Sequence, residues 1–264
     1  MAISQAESLA ANVSDSPPTD LLAAARRRRV KAIYFRPMEI EAGLSVDEHG
    51  FTIFVGAPLE RAPHWQKLFD ADGTGRLLPH AVRSRLRFTI AHEIAHTFFY
   101  DLSDFRPLFE VKLSISLDAL ERACHAGAGA LLLPEVFLKK QLFEYDLLSP
   151  DDLSVIASKC MISREALVIR LSMLANEYRP VGVVLLVERR GNHHNIVGSS
   201  VHYSFSHLFN FRRDAALSQF VSDSRLSIFG GKQHSVKVGR FLFTVEEGAV
   251  SRSTSRFFAS MSPL

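Results

Sequence analysis

The sequence predicts an α+β protein, on three observations. A β-hairpin pattern comes early, from Leu44 to Gly56. Apolar residues then recur at helical spacing in segments between Arg83 and Glu177. Beyond Pro180 the chain turns to β-type runs, punctuated by Gly191-Asn192 and Gly230-Gly231. With 264 residues, 47% apolar and 22% charged, the chain can bury a core as one large domain or two modest ones. That composition excludes a disordered chain, a collagen-like repeat and a disulfide scaffold.

Residues 1–20 are small and polar and end in Ser16-Pro17-Pro18-Thr19-Asp20, so they read as a mobile tail or a loosely docked helix. Leu21 to Val30 has helical composition, and its Arg26-Arg27-Arg28-Arg29 run reads as a solvated helix end rather than a nucleic-acid contact. In the hairpin, Leu44 and Val46 alternate on one arm and Phe51, Ile53 and Val55 on the other, around His49-Gly50. A first long helix follows over Arg83–Tyr100. After a loop with Pro107, a second runs from Leu117 to Leu133 and stops at Pro134.

A shorter pair is expected at Asp151–Lys159 and Ser163–Glu177, with Ser163 as N-cap and Leu167, Leu171 and Leu174 on one face. Strands are expected at Val181–Glu188, Ile196–Tyr203, Arg225–Phe229 and Ser235–Val245. The sequence has no internal repeat.

A net charge of +3 is too mild to demand nucleic acid. Cys124 and Cys160 have no metal or redox spacing, and the N-terminus has no export pattern, so a reduced, cytoplasmic setting is expected. The longest apolar runs, such as Val181–Val187, fall well short of the roughly 20 residues that span a bilayer, so no membrane span is expected.

The first long helix contains His92-Glu93-Ile94-Ala95-His96, an H-E-x-x-H pattern. Histidines at i and i+4 project from one helical face, so both imidazoles can meet one metal ion. Glu93, beside the first, can reach a water on that metal without being a ligand, and such a carboxylate can take a proton and pass it on. The flanks Phe88-Thr89-Ile90-Ala91 and Thr97-Phe98-Phe99 are largely apolar, which buries these polar groups and makes a metal partner valuable. A catalytic zinc takes a third protein ligand and keeps one position open. The extended motif that supplies a third histidine needs glycine at 99 and histidine at 102, where this chain has Phe99 and Leu102. Glu121 on the second helix is the best candidate; the alternative is a solvated glutamate in an i,i+4 network.

The stretch Arg87-Phe88-Thr89-Ile90-Ala91-His92-Glu93-Ile94-Ala95-His96-Thr97-Phe98-Phe99-Tyr100, with Glu121-Arg122-Ala123-Cys124-His125 and the close Ala130-Leu131-Leu132-Leu133-Pro134, resembles the ImmA/IrrE metallopeptidases. The resemblance covers residues 44–135 well. It implies His92, His96 and Glu121 as metal ligands, Glu93 as catalytic base, and zinc as the ion with manganese as an alternative. Two positions depart from the family pattern: His125 stands at its usual asparagine and Gly127 at its usual aromatic. His125 is an extra ligand, a transition-state donor or a packed histidine. Tyr100, four residues past His96, is an oxyanion donor or a packed tyrosine.

The resemblance completes the expected organisation: a tail or helix at 1–31, a helical zincin-like peptidase core with a small β-sheet at 32–149, a helix-turn-helix-like pair at 150–179 and a β-rich module at 180–264. In the pair, Met161 stands where a glycine is common, and Arg164 and Arg170 offer phosphate contacts. The mild charge nonetheless favours a scaffold over DNA binding. His193-His194, His202 and His207 lack ordered ligand spacing and read as surface residues. The implied activity is metal-dependent endopeptidase cleavage of a helix-turn-helix transcriptional repressor, derepressing stress-response or mobile-element genes. The alternative is a non-proteolytic regulator that binds DNA or a repressor around a structural metal.

Overall fold

A computed structural model describes residues 1–108, 116–141, 144–174, 182–190, 193–201, 235–238, 241–245 and 256–263. The protein is α+β and divides into two compact units, Met1–Leu138 with Lys159–Ile162, and Lys139–Ser158 with Ser163–Leu264.

The first unit opens with α1 (Ala2–Val13) and α2 (Leu21–Arg27), followed by β1 (Val30–Arg36), β2 (Ala42–Asp47) and β3 (Gly50–Gly56). Next come α3 (Ala62–Asp72), α4 (His80–His96) with a 3-10 turn at Thr97–Phe99, α5 (Leu117–Leu132) and the start of α6 (Glu135–Gln141). The stretch expected as a tail or a loose helix is instead a firmly packed one. Ala2, Ala6 and Ala10, four residues apart, form a small-residue stripe with Leu9 that is buried against α5.

The second helix is shorter than expected, because Arg29 takes a left-handed backbone (φ 62°) and redirects the chain into β1, a strand the sequence reading did not foresee. Also unforeseen is α3, whose sequence mixes polar and apolar residues and buries only Ala62, Trp65 and Phe69. The first long helix starts earlier than expected, directly after Pro79, and its last turn tightens to 3-10 after His96.

The hairpin forms as expected, with Leu44 opposite Ile53 and Val46 opposite Phe51. β1 joins β3 in parallel, giving the order β1-β3-β2 and leaving β2 at an edge. Strand β3 buries Phe51, Ile53 and Val55 on one face, and α4 packs on this sheet and against α5. Leu86, Ile90, Ala91, Ile94 and Ala95 of α4 are all buried, so this helix is enclosed on most of its circumference.

Of the short helical pair, α7 spans Pro150–Cys160 and α8 spans Arg164–Ser172. Ser163 caps α8 as expected, its Oγ accepting from the Ala166 N–H at 3.1 Å. Residues 175–177, to which that helix was expected to run, lie outside the described residues. Met161 holds a left-handed backbone (φ 54°), which fits a position where glycine is common.

The second unit carries a sheet of order β5-β4-β8-β7-β6, antiparallel throughout: β4 (Val183–Arg190), β5 (His193–Val201), β6 (Ser235–Val238), β7 (Phe241–Val245) and β8 (Arg256–Pro263). The uninterrupted run Val183–Val187 is fully buried because β4 is internal and α8 packs on the sheet. Ser235–Val245 is a hairpin of two strands rather than one strand, and β8 was not foreseen. The expected strand at Arg225–Phe229, and His202 and His207, lie outside the described residues.

Candidate metal centre

Two helices build the site. On α4, the four-residue spacing puts His92 and His96 on one face, with their Nε2 atoms 3.0 Å apart. Across from them α5 is capped by Ser116, whose Oγ accepts from the Ala119 N–H, and its second turn carries Glu121. That carboxylate places Oε2 3.2 Å from His92 Nε2 and Oε1 3.5 Å from His96 Nε2. The helices approach closely where Gly127 faces Ala95: a Cβ on Gly127 would lie 3.2 Å from the Ala95 Cβ and 3.4 Å from that of Ala2. An aromatic at this position, as the family pattern has, would require α1 or α4 to sit elsewhere.

The end of α4 is fixed by an arginine from the Arg26–Arg29 run. Arg28 turns inward and donates from Nη2 to the Thr97 carbonyl at 2.5 Å and from Nε to Thr97 Oγ1 at 3.1 Å. So Arg28 is not part of a solvated helix end; it caps the helix one residue past His96, where a cation also suits the helix dipole. At the other side of the motif Arg87 is fully buried and reaches the Thr74 and Thr19 carbonyls.

Electrostatics favour neutral, ligand-ready imidazoles. Burial, then the neighbouring His96 and His125, hold His92 down to about 4. Burial also lowers His96, against the opposing pull of Glu121. Glu93 is buried on the same helix and is pushed up to about 7 by burial first and by the Glu121 charge second. Cys124, on the buried side of α5, is pushed up to about 12 by burial and then by Glu121 and Glu93, which keeps its thiol protonated.

These donors suit a zinc-sized ion. His Nε2, His Nε2 and one carboxylate oxygen are a standard zinc donor set, and ligands about 2.0–2.2 Å from one tetrahedral ion stand roughly 3.3 Å from each other. The distances here, 3.0, 3.2 and 3.5 Å, bracket that spacing. His92 Nδ1, the ring nitrogen away from the cluster, is buried without a hydrogen-bond partner among the described residues, so Nε2 is the nitrogen that meets the other donors.

The site opens into a cleft of about 490 Å³ whose lining includes the two histidines, Glu93, Glu121, Tyr100 and His125. His125 stands with its ring centroid 4.5 Å from that of His92, and its Nδ1–H donates to the Glu121 carbonyl at 2.8 Å. Tyr100 packs edge-on against Phe51 while still lining the cleft. The lining also takes in Glu41 and, from the start of β2, Ala42, Gly43 and Leu44. Sequence reasoning passed over Glu41, Ala42 and Gly43, because nothing in a short polar approach to a hairpin marks it as a cleft wall.

No curated protein matches the chain by sequence. A solved structure described as a Mycobacterium tuberculosis transcriptional regulator is similar in fold, with a TM-score of 0.52 at 15% identity over 98% of this chain and 74% of that one. A peptidase family model, the IrrE N-terminal-like domain (peptidase M78), matches residues 76–172, which include both histidines, Glu93 and Glu121. Over that segment the match supports the resemblance to the ImmA/IrrE metallopeptidases drawn from the sequence.

Proposed function

We propose that the protein is a zinc-dependent endopeptidase that cleaves a helix-turn-helix repressor in the cytoplasm, with manganese as an alternative ion. The observation that carries this reading is the convergence of His92, His96 and Glu121 donor atoms in a cleft that also holds the buried Glu93. When bound, zinc supplies Lewis acidity toward the scissile carbonyl and brings a water's pKa to about 7.

Glu93 does the proton work. Burial raises its affinity for a proton into the neutral range, so its carboxylate can take a proton from the attacking water and return it to the departing amide nitrogen. His92 and His96 are kept neutral by burial, which leaves their lone pairs free for an ion near pH 7. Among the described residues β2 is an edge strand on the cleft wall, so an extended peptide can pair with it as an added strand.

The repressor as substrate rests on the family resemblance, together with the name of the structurally similar regulator. That name also favours the second reading, a non-proteolytic regulator with a structural metal. The two are separated by Glu93→Gln, which keeps the size of the side chain but cannot accept the proton. Incubated with a repressor encoded beside it, the variant should retain zinc and repressor binding while cleavage falls about 10²- to 10⁴-fold. Cleavage at the wild-type rate overturns the mechanism. A wild type that binds the repressor, never cuts it with zinc or manganese, and acts no differently from Glu93→Gln establishes the regulator.

A further inference from the structure

Next to the metal-donor cleft lies a second cleft of about 500 Å³. Trp65, Leu86 and Ala57 are buried side chains in its lining, while Ile40 and Leu59 stand at its edge, 60% and 69% exposed. Val82, half-buried on the first turn of α4, adds to this apolar part of the lining. The two clefts have Glu41 and Thr89 in common, so they adjoin.

One stretch of chain walls both. Pro37 to Glu41 lines the second cleft, and Glu41 to Leu44 lines the first. This stretch is pressed onto the end of β3 at Gly56, whose N–H donates to the Glu41 carbonyl at 2.8 Å. A Cβ on Gly56 would stand 2.7 Å from the Ile40 carbonyl oxygen, so a side chain there would lift the shared wall. At the junction Arg85 pairs with Glu41, so these two charges answer each other, and Glu39 and Thr89 are the other polar side chains of the lining.

Resting on the peptidase reading above, we infer that the second cleft receives a large apolar side chain of the same extended peptide that the first cleft cuts. Leu44 and Ile40, four positions apart, line different clefts. Ile40 and Glu41 are bends and only Ala42 to Leu44 is strand, so the two ends of this wall are at most about 13 Å apart. An extended peptide at about 3.3 Å per residue places the apolar residue within about four positions of the scissile bond. Val82, Trp65 and Leu86 then set the preference at that position, where an aliphatic side chain covers apolar surface that a serine or aspartate would leave open.

The test uses fluorescein-labelled alanine-based decapeptides, each carrying one leucine scanned through the ten positions. Binding is read by anisotropy on metal-free Glu93→Gln protein, and cleavage on the zinc-loaded wild type. Leucine at one position remote from the bond should tighten binding about tenfold over serine there, as burial of one aliphatic side chain allows. Val82→Glu, a change on the half-buried first turn of α4, should abolish that preference and leave the fold intact by circular dichroism.

If leucine-dependent binding responds to Val82→Glu but no peptide is cut, the cleft stands and the peptidase reading falls. If peptides are cut without a remote preference, or with one that Val82→Glu leaves intact, the cleft assignment falls alone. Absence of leucine-dependent binding overturns it as well. So does a concentration-dependent dimer that Val82→Glu dissolves, because the cleft would then be a self-contact.

Discussion

His125 rests its ring against His92, with centroids 4.5 Å apart, yet turns its Nδ1–H to the Glu121 carbonyl 2.8 Å away. The hydrogen bond anchors the imidazole to its own helix, one turn below the carboxylate that faces both α4 histidines. Two neighbours on α5 therefore hold different places: Glu121 joins the candidate donors His92 and His96, and His125 packs beside them.

From that relationship, Glu121→Ala should lose stoichiometric zinc, while His125→Ala retains it with an affinity lowered by no more than about tenfold. Zinc content after gel filtration, followed by competition with a chromogenic chelator, measures both. Zinc retained by Glu121→Ala and lost by His125→Ala would move the third ligand along the helix.

Arg28 is the second point of leverage. Arg28→Met keeps most of the aliphatic stem but leaves the Thr97 carbonyl without its charged donor. Stability should drop by about 1–3 kcal/mol, and zinc affinity should weaken because the turn carrying His96 frays. Urea melts and zinc titration of the same preparations check this. A stability loss with unchanged zinc affinity would limit Arg28 to capping.

The two glycines of α5 should respond in opposite directions. Gly127→Val pushes methyl groups toward Ala95 and Ala2 and should cost about 1–3 kcal/mol or more. Gly129 has open space where a Cβ would go, so Gly129→Ala should add about 0.5–1 kcal/mol through helix propensity alone. Thermal denaturation of the pair against wild type decides it, and equal effects of one sign would contradict the packing described for this helix.

Alkaline pH should act through Cys160. Burial chiefly pushes its thiol up to about 12 in the folded protein, against 9.0 for an ordinary thiol. Between those values the unfolded chain sheds the proton and the folded chain keeps it, so this contribution is present below about pH 9 and is lost as pH rises. Cys160→Ala lacks the effect, so wild-type stability should fall toward the variant's between pH 8 and pH 10.5 in urea melts. A gap that stays constant would mean the thiol titrates normally. At pH 8 native Cys160 should resist alkylation that proceeds readily in urea.

How much was legible beforehand depends on whether the information was local. His92, Glu93 and His96 sit within one turn and a half, so helical spacing alone joins them. Glu121 could be nominated because its helix has a recognisable start and stop, although its pairing with α4 came from the folded arrangement. Arg28 was unreadable for the opposite reason. Its partner Thr97 is 69 positions away, and an arginine run looks the same whether solvated or turned inward. The docking of α1 was hidden likewise, since alanines spaced by four become a packing stripe only when another helix offers a bare Gly127. Strand β1 was missed because a left-handed Arg29, not a glycine or proline, ends α2.

The seat of α1 sets a schedule for assembly. The Glu7 carboxylate accepts from the Glu135 N–H across 128 positions, and Thr19 Oγ1 reaches the Leu131 carbonyl across 112. As the ribosome extends the chain, both histidines emerge before the third donor, and the early helix must wait for α5 before its alanine stripe has anything to cover. Loop closures of that span are slow steps in folding. On the metallopeptidase reading proposed above, metal capture in the nascent chain is tied to the same moment as N-terminal docking, and a ribosome stalled before residue 121 would hold a chain with two histidines and no carboxylate from α5 to complete the site.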